Sequence, residues 1–418
     1  MTTLDQYLQA IEDREAAVHA WAHHDSNAVR EAAREQAACV PDGELLGLPI
    51  GVKDIIDTAD MVTQYGSGAY RGHRPARDAW VITRLKAAGA IIMGKTVTTE
   101  FAFTHPGPTR NPHHIDHTPG GSSSGSAAAV AAGMVPVALG SQTGGSTIRP
   151  SAYCGIVGFK PSYGLINLQG VMALAPSLDT LGIHADSVDR AQQVFSVLSI
   201  QTSSTNKGAG SSNKSSDESR HFKPITIGWY PGPMSDQAQP EALKALSTAL
   251  EQFKGMHQAT VSDLPFDPTH YRALCEINQI AMRFEAARIH REVFEQSPGL
   301  LGASTLSMIT EGLKIPASVY DQAMVKRAQA RQAFAQSMAG VDVAITLSSP
   351  GEAPLFTEGT GNSTFNQAWT TLGVPCITLP AGKGVKGLPL GIQLVAAQGQ
   401  DYKLLEVAQH FSAALEQK

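Results

Sequence analysis

The chain has 418 residues, 42% hydrophobic and 17% charged, with 32 basic residues against 37 acidic ones for a formal charge of −5. These values fit a globular protein with a large core and exclude a disordered chain. The mild negative charge gives no electrostatic footprint for nucleic acid or an anionic membrane, so neither is expected as a partner.

The four cysteines, Cys39, Cys154, Cys275 and Cys376, are scattered and form no C-x-x-C pair. They read as reduced thiols rather than a disulfide framework or a zinc site. The first residues, M-T-T-L-D-Q-Y-L, include an acid and lack an apolar signal-peptide region. The longest apolar stretch, 127–140, is alanine-rich and too short to span a bilayer. A cytoplasmic protein is the expectation.

In chain order, Leu4, Tyr7, Leu8 and Ile11 follow helical spacing with polar residues on the other face. A second helix is predicted over 26–38, with Asp25 or Ser26 as its N-cap. Residues 48–52 read as a short buried strand that delivers Lys53. A helix over 79–88 stops at Gly89, a residue type suited to the position after a helix end, and 90–93 is the next strand. The alanine run after Ser122 predicts another helix, and 135–139 another strand. This alternation argues an α/β layered fold. Residues 201–220 show no apolar periodicity and read as a flexible surface loop that divides the sequence without dividing the fold. Beyond it, strands are predicted at 225–230, 341–347 and 391–396. Helices are predicted at 240–254, 270–295, 318–339 and from about 402. No internal repeat is visible.

Two small-residue turns, Gly120-Gly121-Ser122 and Gly144-Gly145-Ser146, each present a serine. Glycine lets backbone N–H groups approach a common point without Cβ obstruction. A lone G-G-S is more often a capped turn, but Ser146 follows a predicted strand and precedes a predicted helix carrying Pro150. The N–H groups of Thr143, Gly144, Gly145 and Ser146 would then face one oxygen, with the helix N-terminus adding positive potential, an arrangement suited to a tetrahedral oxyanion. The hydroxyl needs a base. There is no G-x-S-x-G elbow and no well-placed histidine, so a Ser-His-Asp mechanism is disfavoured. A neutral lysine serves in Ser-Lys variants, and burial lowers a lysine's pKa. Lys53, in G-V-K-D-I-I-D, follows an apolar strand.

A lysine, a Gly-Ser-rich loop and a G-G-S turn in that order resemble the amidase signature family of serine hydrolases. The resemblance runs from about Leu45 to the C-terminus. G-K-T-V-T-T-E-F-A at 94–102 resembles its upstream motif, with Val97 where asparagine is usual. S-L-D-T-L-G at 177–182 resembles the downstream motif, and G-L-P-L-G-I-Q-L-V at 387–395 the closing strand. The resemblance implies a single domain over 1–418, with a mixed twisted β-sheet sandwiched between layers of α-helices. It implies Ser146 as nucleophile, Ser122 as a bridging serine reached through a cis peptide from Gly121, and Lys53 as base, with no cofactor and no metal.

Arg149 follows Ser146 by about one helical turn. In malonamidase-like members an arginine at this place binds a substrate carboxylate, and G-S-Q-T-G-G-S-T-I-R-P-S-A-Y-C-G is similar. Two readings stay open: a bidentate contact to a substrate carboxylate, or an internal pair with Asp179 or Asp54. His105, His113, His114 and His117 crowd one stretch with irregular spacing and read as a polar loop rather than a metal site. Cys154 lies in an apolar run and reads as packing. Asp179 and Glu100 read as network residues that hold loops.

The expected function is a small-molecule amidohydrolase, acting on a carboxylate-bearing amide or a urea derivative, with a homodimer left open. The alternative is the glutaminase component of a tRNA-dependent amidotransferase complex. Against it stand Gln142, where those components usually carry aspartate, the short chain, and the lack of a basic tRNA-facing region. A non-catalytic scaffold is disfavoured because the lysine and both serines are present. Neither an extra C-terminal domain of the allophanate-hydrolase kind nor an apolar anchor of the fatty-amide-hydrolase kind is expected.

Overall fold

The computed structural model describes residues 3–200, 224–256 and 258–416. The 201–220 segment therefore lies outside the described residues.

The chain opens with helix α1 (Leu4–Val18), which buries Tyr7, Leu8, Ile11 and Val18, the face its spacing predicts. Strand β1 (Trp21–His23) leads to α2 (Ser26–Cys39). Asp25 caps α2 by accepting from the N–H groups of Asn27 and Ala28, satisfying two donors that a helix start leaves free. Next come β2 (Pro49–Lys53), α3 (Trp80–Ala87), β3 (Ile91–Thr96), α4 (Ser124–Ala131) and β4 (Val137–Gln142). They are followed by α5 (Ile148–Cys154), β5 (Val157–Lys160), β6 (Thr180–Ala185) and α6 (Val188–Leu198). After 223 come β7 (Ile225–Trp229), α7 (Pro240–Met256) and β8 (Ala259–Asp263). The helix expected over 270–295 is two: α8 (Pro268–Ile289) and α9 (Arg291–Gln296). The break is at His290, whose buried ring stacks on Phe101 with centroids 4.4 Å apart. Helix α10 (Ala303–Lys314), not anticipated, precedes α11 (Ala317–Ser337) and β9 (Val343–Leu347). Helix α12 (Thr364–Leu372), also not anticipated, precedes β10 (Cys376–Lys383), β11 (Pro389–Val395) and α13 (Asp401–Glu416).

The strands form one eleven-stranded sheet in the order β1-β3-β2-β4-β6-β5-β10-β11-β9-β7-β8. It is mixed: β2 runs parallel to β3 and β4, whereas β4, β6, β5, β10, β11 and β9 pair antiparallel in turn. Strand alternation divides its two faces. Ile377 and Leu379 of β10 pack into a core with α3, α6, α7 and α13, while Cys376 packs with Ile148 of α5 and Trp369 of α12. The α/β sandwich expected from the sequence is thus present. The same core cluster holds Phe159 and Phe195 from before residue 201 and Leu246, Ile345 and Phe411 from after it. One sheet and one core therefore span the segment that divides the sequence.

Phe195 of α6 joins the two halves directly. It is fully buried, 5.2 Å from the ring of Phe159 in β5 and 5.2 Å from that of Tyr402 in α13. Phe195→Ala should lower stability by about 3–5 kcal/mol in denaturant titration while keeping one cooperative transition. Two separable transitions would contradict a shared core.

Candidate active site

Strands β2 and β4 lie side by side and parallel, so their C-terminal ends meet at one edge. Lys53 closes β2, and Ser141 and Gln142 close β4. The 120–123 turn, which leads into α4, is brought to the same place. The fully buried Lys53 Nζ donates to Ser122 Oγ at 2.8 Å and to Ser141 Oγ at 2.8 Å. Among the described residues it has no ion pair. Burial pushes its amine well below the usual 10.5, against an opposing pull from the charge of Asp179. The Gly121–Ser122 peptide is cis, as the resemblance implies.

Ser146 sits in the turn between β4 and α5 and is 8% exposed. Among the described residues its Oγ makes no hydrogen bond to Ser122 or Lys53. The N–H groups of Thr143, Gly144, Gly145 and Ser146 find no protein acceptor among the described residues, although most of this turn is buried. Buried backbone donors are nearly always paired, so a run of free ones marks a place that can receive an oxygen. The turn is braced from behind. Thr143 Oγ1 donates to Asp179 Oδ1 at 2.5 Å, and Asp179 Oδ2 accepts from the N–H groups of Leu174 and Ala175. Asp179 is therefore a loop holder, as the sequence suggests, and so is Glu100, which accepts from Ser67 Oγ and from the N–H of Gly302. At Gly145 a Cβ would fall 2.5 Å from Asn366 Oδ1, so only glycine fits against α12 there.

One expectation about the helix start needs correcting. The N-terminal N–H groups of α5 do not face the site: those of Thr147 and Ile148 donate to Gln142 Oε1 at 2.9 and 3.0 Å.

Arg149 also departs from both sequence readings. Its Nη1 donates to the Gly361 carbonyl at 2.8 Å, and its Nη2 to the Gly121 carbonyl at 2.6 Å and Thr360 Oγ1 at 3.4 Å. Neither proposed acid is its partner. Asp54 lies 3.8 Å from Lys95, and Asp179 is bound as described above. Burial lowers the Arg149 guanidinium to about 10. Both terminal nitrogens are held by loop oxygens, while Nε, also buried, has no protein partner among the described residues. Arg149 ties the loop before Ser122 to the 360–361 segment.

Other candidates resolve simply. His113 Nε2 and His117 Nδ1 bond to the carbonyls of Cys154 and Ala353, holding their loop in place. Burial pushes the Cys154 thiol up, which makes it a poor nucleophile. His184, close enough to sense the Lys53 charge, is driven by burial to about 3, too weak a base to deprotonate a serine. The sequence reading missed Ser141, Asn278 and Thr370. Ser141 had a signal, a hydroxyl ending an otherwise apolar strand beside a buried lysine. Asn278 and Thr370 come from distant helices and had none.

A family model described as Amidase matches residues 2–405. The chain belongs to the amidase family. It is an amide-hydrolysing enzyme with the mixed α/β fold of that family. A Glutamyl-tRNA(Gln) amidotransferase component from Exiguobacterium sibiricum is 34% identical over 88% of this chain and 84% of its own length. A solved structure described as an amidase is 29% identical, with a TM-score of 0.85, covering 99% of this chain and 96% of the other. A third similar protein comes from a structure described as a vestigial protein complex that reveals the origins of an s-triazine catabolic enzyme. It is 27% identical, with a TM-score of 0.85, covering 99% of this chain and 94% of that one. No helix among the described residues is long and apolar enough to cross a membrane.

The bonding of Arg149 predicts the result of its removal. Arg149→Ala should lower stability by about 1.5–3 kcal/mol, the scale of charge-assisted hydrogen bonds. Its activity loss should be equal on malonamate and on a neutral amide of similar size, and Arg149→Lys should restore it incompletely. A loss confined to acidic amides would return Arg149 to substrate binding.

Proposed function

We propose that this amidase hydrolyses a carboxamide through an acyl-enzyme on Ser146, with Ser122 and Lys53 as the proton relay. The observation that carries the reading is the 2.8 Å contact between Lys53 Nζ and Ser122 Oγ in a buried site where the lysine has no ion pair among the described residues. Burial favours the neutral form of an amine so placed, and a neutral amine accepts a proton. The contact with Ser122 then reverses, the hydroxyl donating to the nitrogen lone pair, while Nζ continues to donate to Ser141 and keeps that lone pair aimed.

The steps balance. The Ser146 hydroxyl proton passes to Ser122 Oγ as the Ser122 proton passes to Lys53. Ser146 Oγ bonds to the amide carbon, and the carbonyl oxygen gains negative charge opposite the free N–H groups of 143–146. The relay returns the proton to the leaving nitrogen, the C–N bond breaks, and ammonia or an amine departs. Water repeats the sequence on the ester and releases the acid. The Ser146–Ser122 link forms when substrate closes the site, since catalytic hydrogen bonds often tighten only in the complex.

For the substrate, the relatives favour glutamine. Curated relatives from several organisms carry the name of a Glutamyl-tRNA(Gln) amidotransferase component. This supports a glutaminase-type component that releases ammonia from a terminal carboxamide and works with partner proteins. The second reading, a free-standing amidase for small amides, is supported by the likeness to the amidase structure. Its carboxylate-specific form loses its main support with the bonding of Arg149. Ammonia release from L-glutamine, malonamate and neutral primary amides separates the readings. Turnover of glutamine above the others, raised by a partner protein, supports the first; efficient turnover of small amides but not glutamine supports the second.

Ser146→Ala and Lys53→Met should each reduce kcat by at least about 10³-fold, and the double variant should lose little more, because the residues act as one unit. The wild-type rate should rise with pH along a single ionisation. Below the folded pKa of Lys53 the amine is charged and cannot accept a proton; above it the relay works. Because burial lowers that pKa, the ascending limb should end well below 10.5. Full activity in the Lys53 variant, or a pH-independent rate, would contradict the relay.

A further inference from the structure

Helix α12 reaches the Gly144–Gly145 peptide through a chain of directed hydrogen bonds. Gln142 Oε1 accepts from the N–H groups of Thr147 and Ile148, which fixes the orientation of its amide. Its Nε2 therefore faces Thr370 and donates to Thr370 Oγ1 at 2.9 Å. With that lone pair occupied, the Thr370 proton points to the Gly144 carbonyl at 2.7 Å, in preference to the Asn366 carbonyl at 3.2 Å. The flanking peptides are held as well: Asn278 Nδ2 donates to the Thr143 carbonyl at 2.9 Å, and the Arg149 N–H to the Gly145 carbonyl at 3.0 Å. A trans peptide points its N–H opposite its C=O. Fixing the carbonyls of Thr143, Gly144 and Gly145 therefore fixes the N–H groups of Gly144, Gly145 and Ser146 on the other side, and these are the groups with no protein acceptor among the described residues.

We propose that Thr370, oriented by Gln142, is a positioning residue that sets the Gly144–Gly145 peptide so that the Gly145 N–H faces the developing oxyanion. The inference rests on the reading of Ser146 as nucleophile. Gln142 matters as an amide because only an amide can cap α5 with its oxygen while donating to Thr370 with its nitrogen. In this chain a glutamate at 142, set against Thr370, would still cap α5 but would accept the Thr370 proton, withdrawing it from the Gly144 carbonyl; components with the shorter aspartate at this place must hold the turn by other contacts. The hydroxyl also distinguishes threonine from valine, which has the same shape and no donor.

The test uses Thr370→Val, Thr370→Ser, Gln142→Glu and the Thr370→Val/Gln142→Glu double variant of the full chain. The first readout is the rate at which a fluorophosphonate probe modifies Ser146, followed by intact mass and peptide mapping. Ser146 Oγ bonds to phosphorus as its proton passes through Ser122 to Lys53 and the P–F bond breaks to release fluoride, and the negative charge that builds on the phosphoryl oxygen in that transition state requires the same N–H donors. The second readout is kcat and KM on whichever amide is turned over. Thr370→Val and Gln142→Glu should each slow labelling and kcat by about 10–100-fold with KM changed less than threefold, below the loss seen when an oxyanion donor is removed outright. Thr370→Ser should stay within about threefold of wild type, and the double variant should be no slower than the worse single one. A merely structural role would lower the melting temperature and leave the kcat-to-KM split unmoved. Thr370→Val and Gln142→Glu that label at the wild-type rate overturn the proposal. A wild type that is not labelled at Ser146 overturns the underlying nucleophile reading instead. Should Thr370→Val fail to fold, Gln142→Glu against wild type decides, because it keeps the α5 cap.

Discussion

The site depends on burying an amine without giving it an acid. Desolvation of a lysine in a protein interior is normally offset by a carboxylate or avoided. Lys53 instead meets two hydroxyls, while the nearby Asp179 carboxylate is bound to Thr143 and to two backbone N–H groups. The contrast with Lys95 is instructive. That lysine is also fully buried, yet it lies 3.8 Å from Asp54 and its pKa falls only to about 8. An acid at hydrogen-bonding distance from Lys53 would hold it charged and remove the proton acceptor that the proposed relay requires. Much of the surrounding architecture can be understood as keeping that distance: β2 and β4 set Lys53 beside Ser141, and the 120–123 turn brings Ser122 to the same nitrogen.

The second constraint is the braced turn at 143–146. Side chains from α8 and α12 reach its carbonyls, and Thr143 is held by Asp179. Arg149 performs a related task on the other loop by gripping the Gly121 carbonyl, next to Ser122. A residue that sequence reading assigns either to a substrate or to an internal acid thus braces the loop itself. These braces are long-range. Helices α8 and α12 come after residue 223 and the loops they hold come before residue 201, so the site needs the continuous sheet and core that join the two halves.

Elements with strong local patterns were legible in the sequence. The apolar face of α1, the strands that deliver Lys53 and Ser146, and the two G-G-S turns have local signals, and the order of the family motifs tied them into one site. What was not legible depended on tertiary placement. Helix α12 is only nine residues long, and although Phe365, Ala368, Trp369 and Leu372 follow helical spacing, its polar residues Asn366, Gln367, Thr370 and Thr371 are buried as well, so its place against the 143–146 turn had no local signal. The expected 270–295 helix breaks at His290, whose ring packs on Phe101, a tertiary contact that no local pattern announces. The bonds of Arg149 to the Gly121 and Gly361 carbonyls had no signal either, because an arginine one turn after a G-G-S turn has the same local signature whether it faces ligand or loop. The roles of Asn278, Thr370 and the Gln142 amide require knowing which carbonyl faces which helix, and no spacing rule supplies that.

The most direct test of a neutral lysine base is to titrate Lys53 itself. The ¹⁵Nζ or ¹³Cε shift of Lys53, assigned by comparison with Lys53→Met and followed in Ser146→Ala enzyme, reports its charge without dependence on turnover. The account predicts a midpoint well below the ordinary 10.5, with a neutral amine at the pH where the enzyme is most active. A lysine that stays protonated through that pH, titrating at or above 10.5, would contradict it.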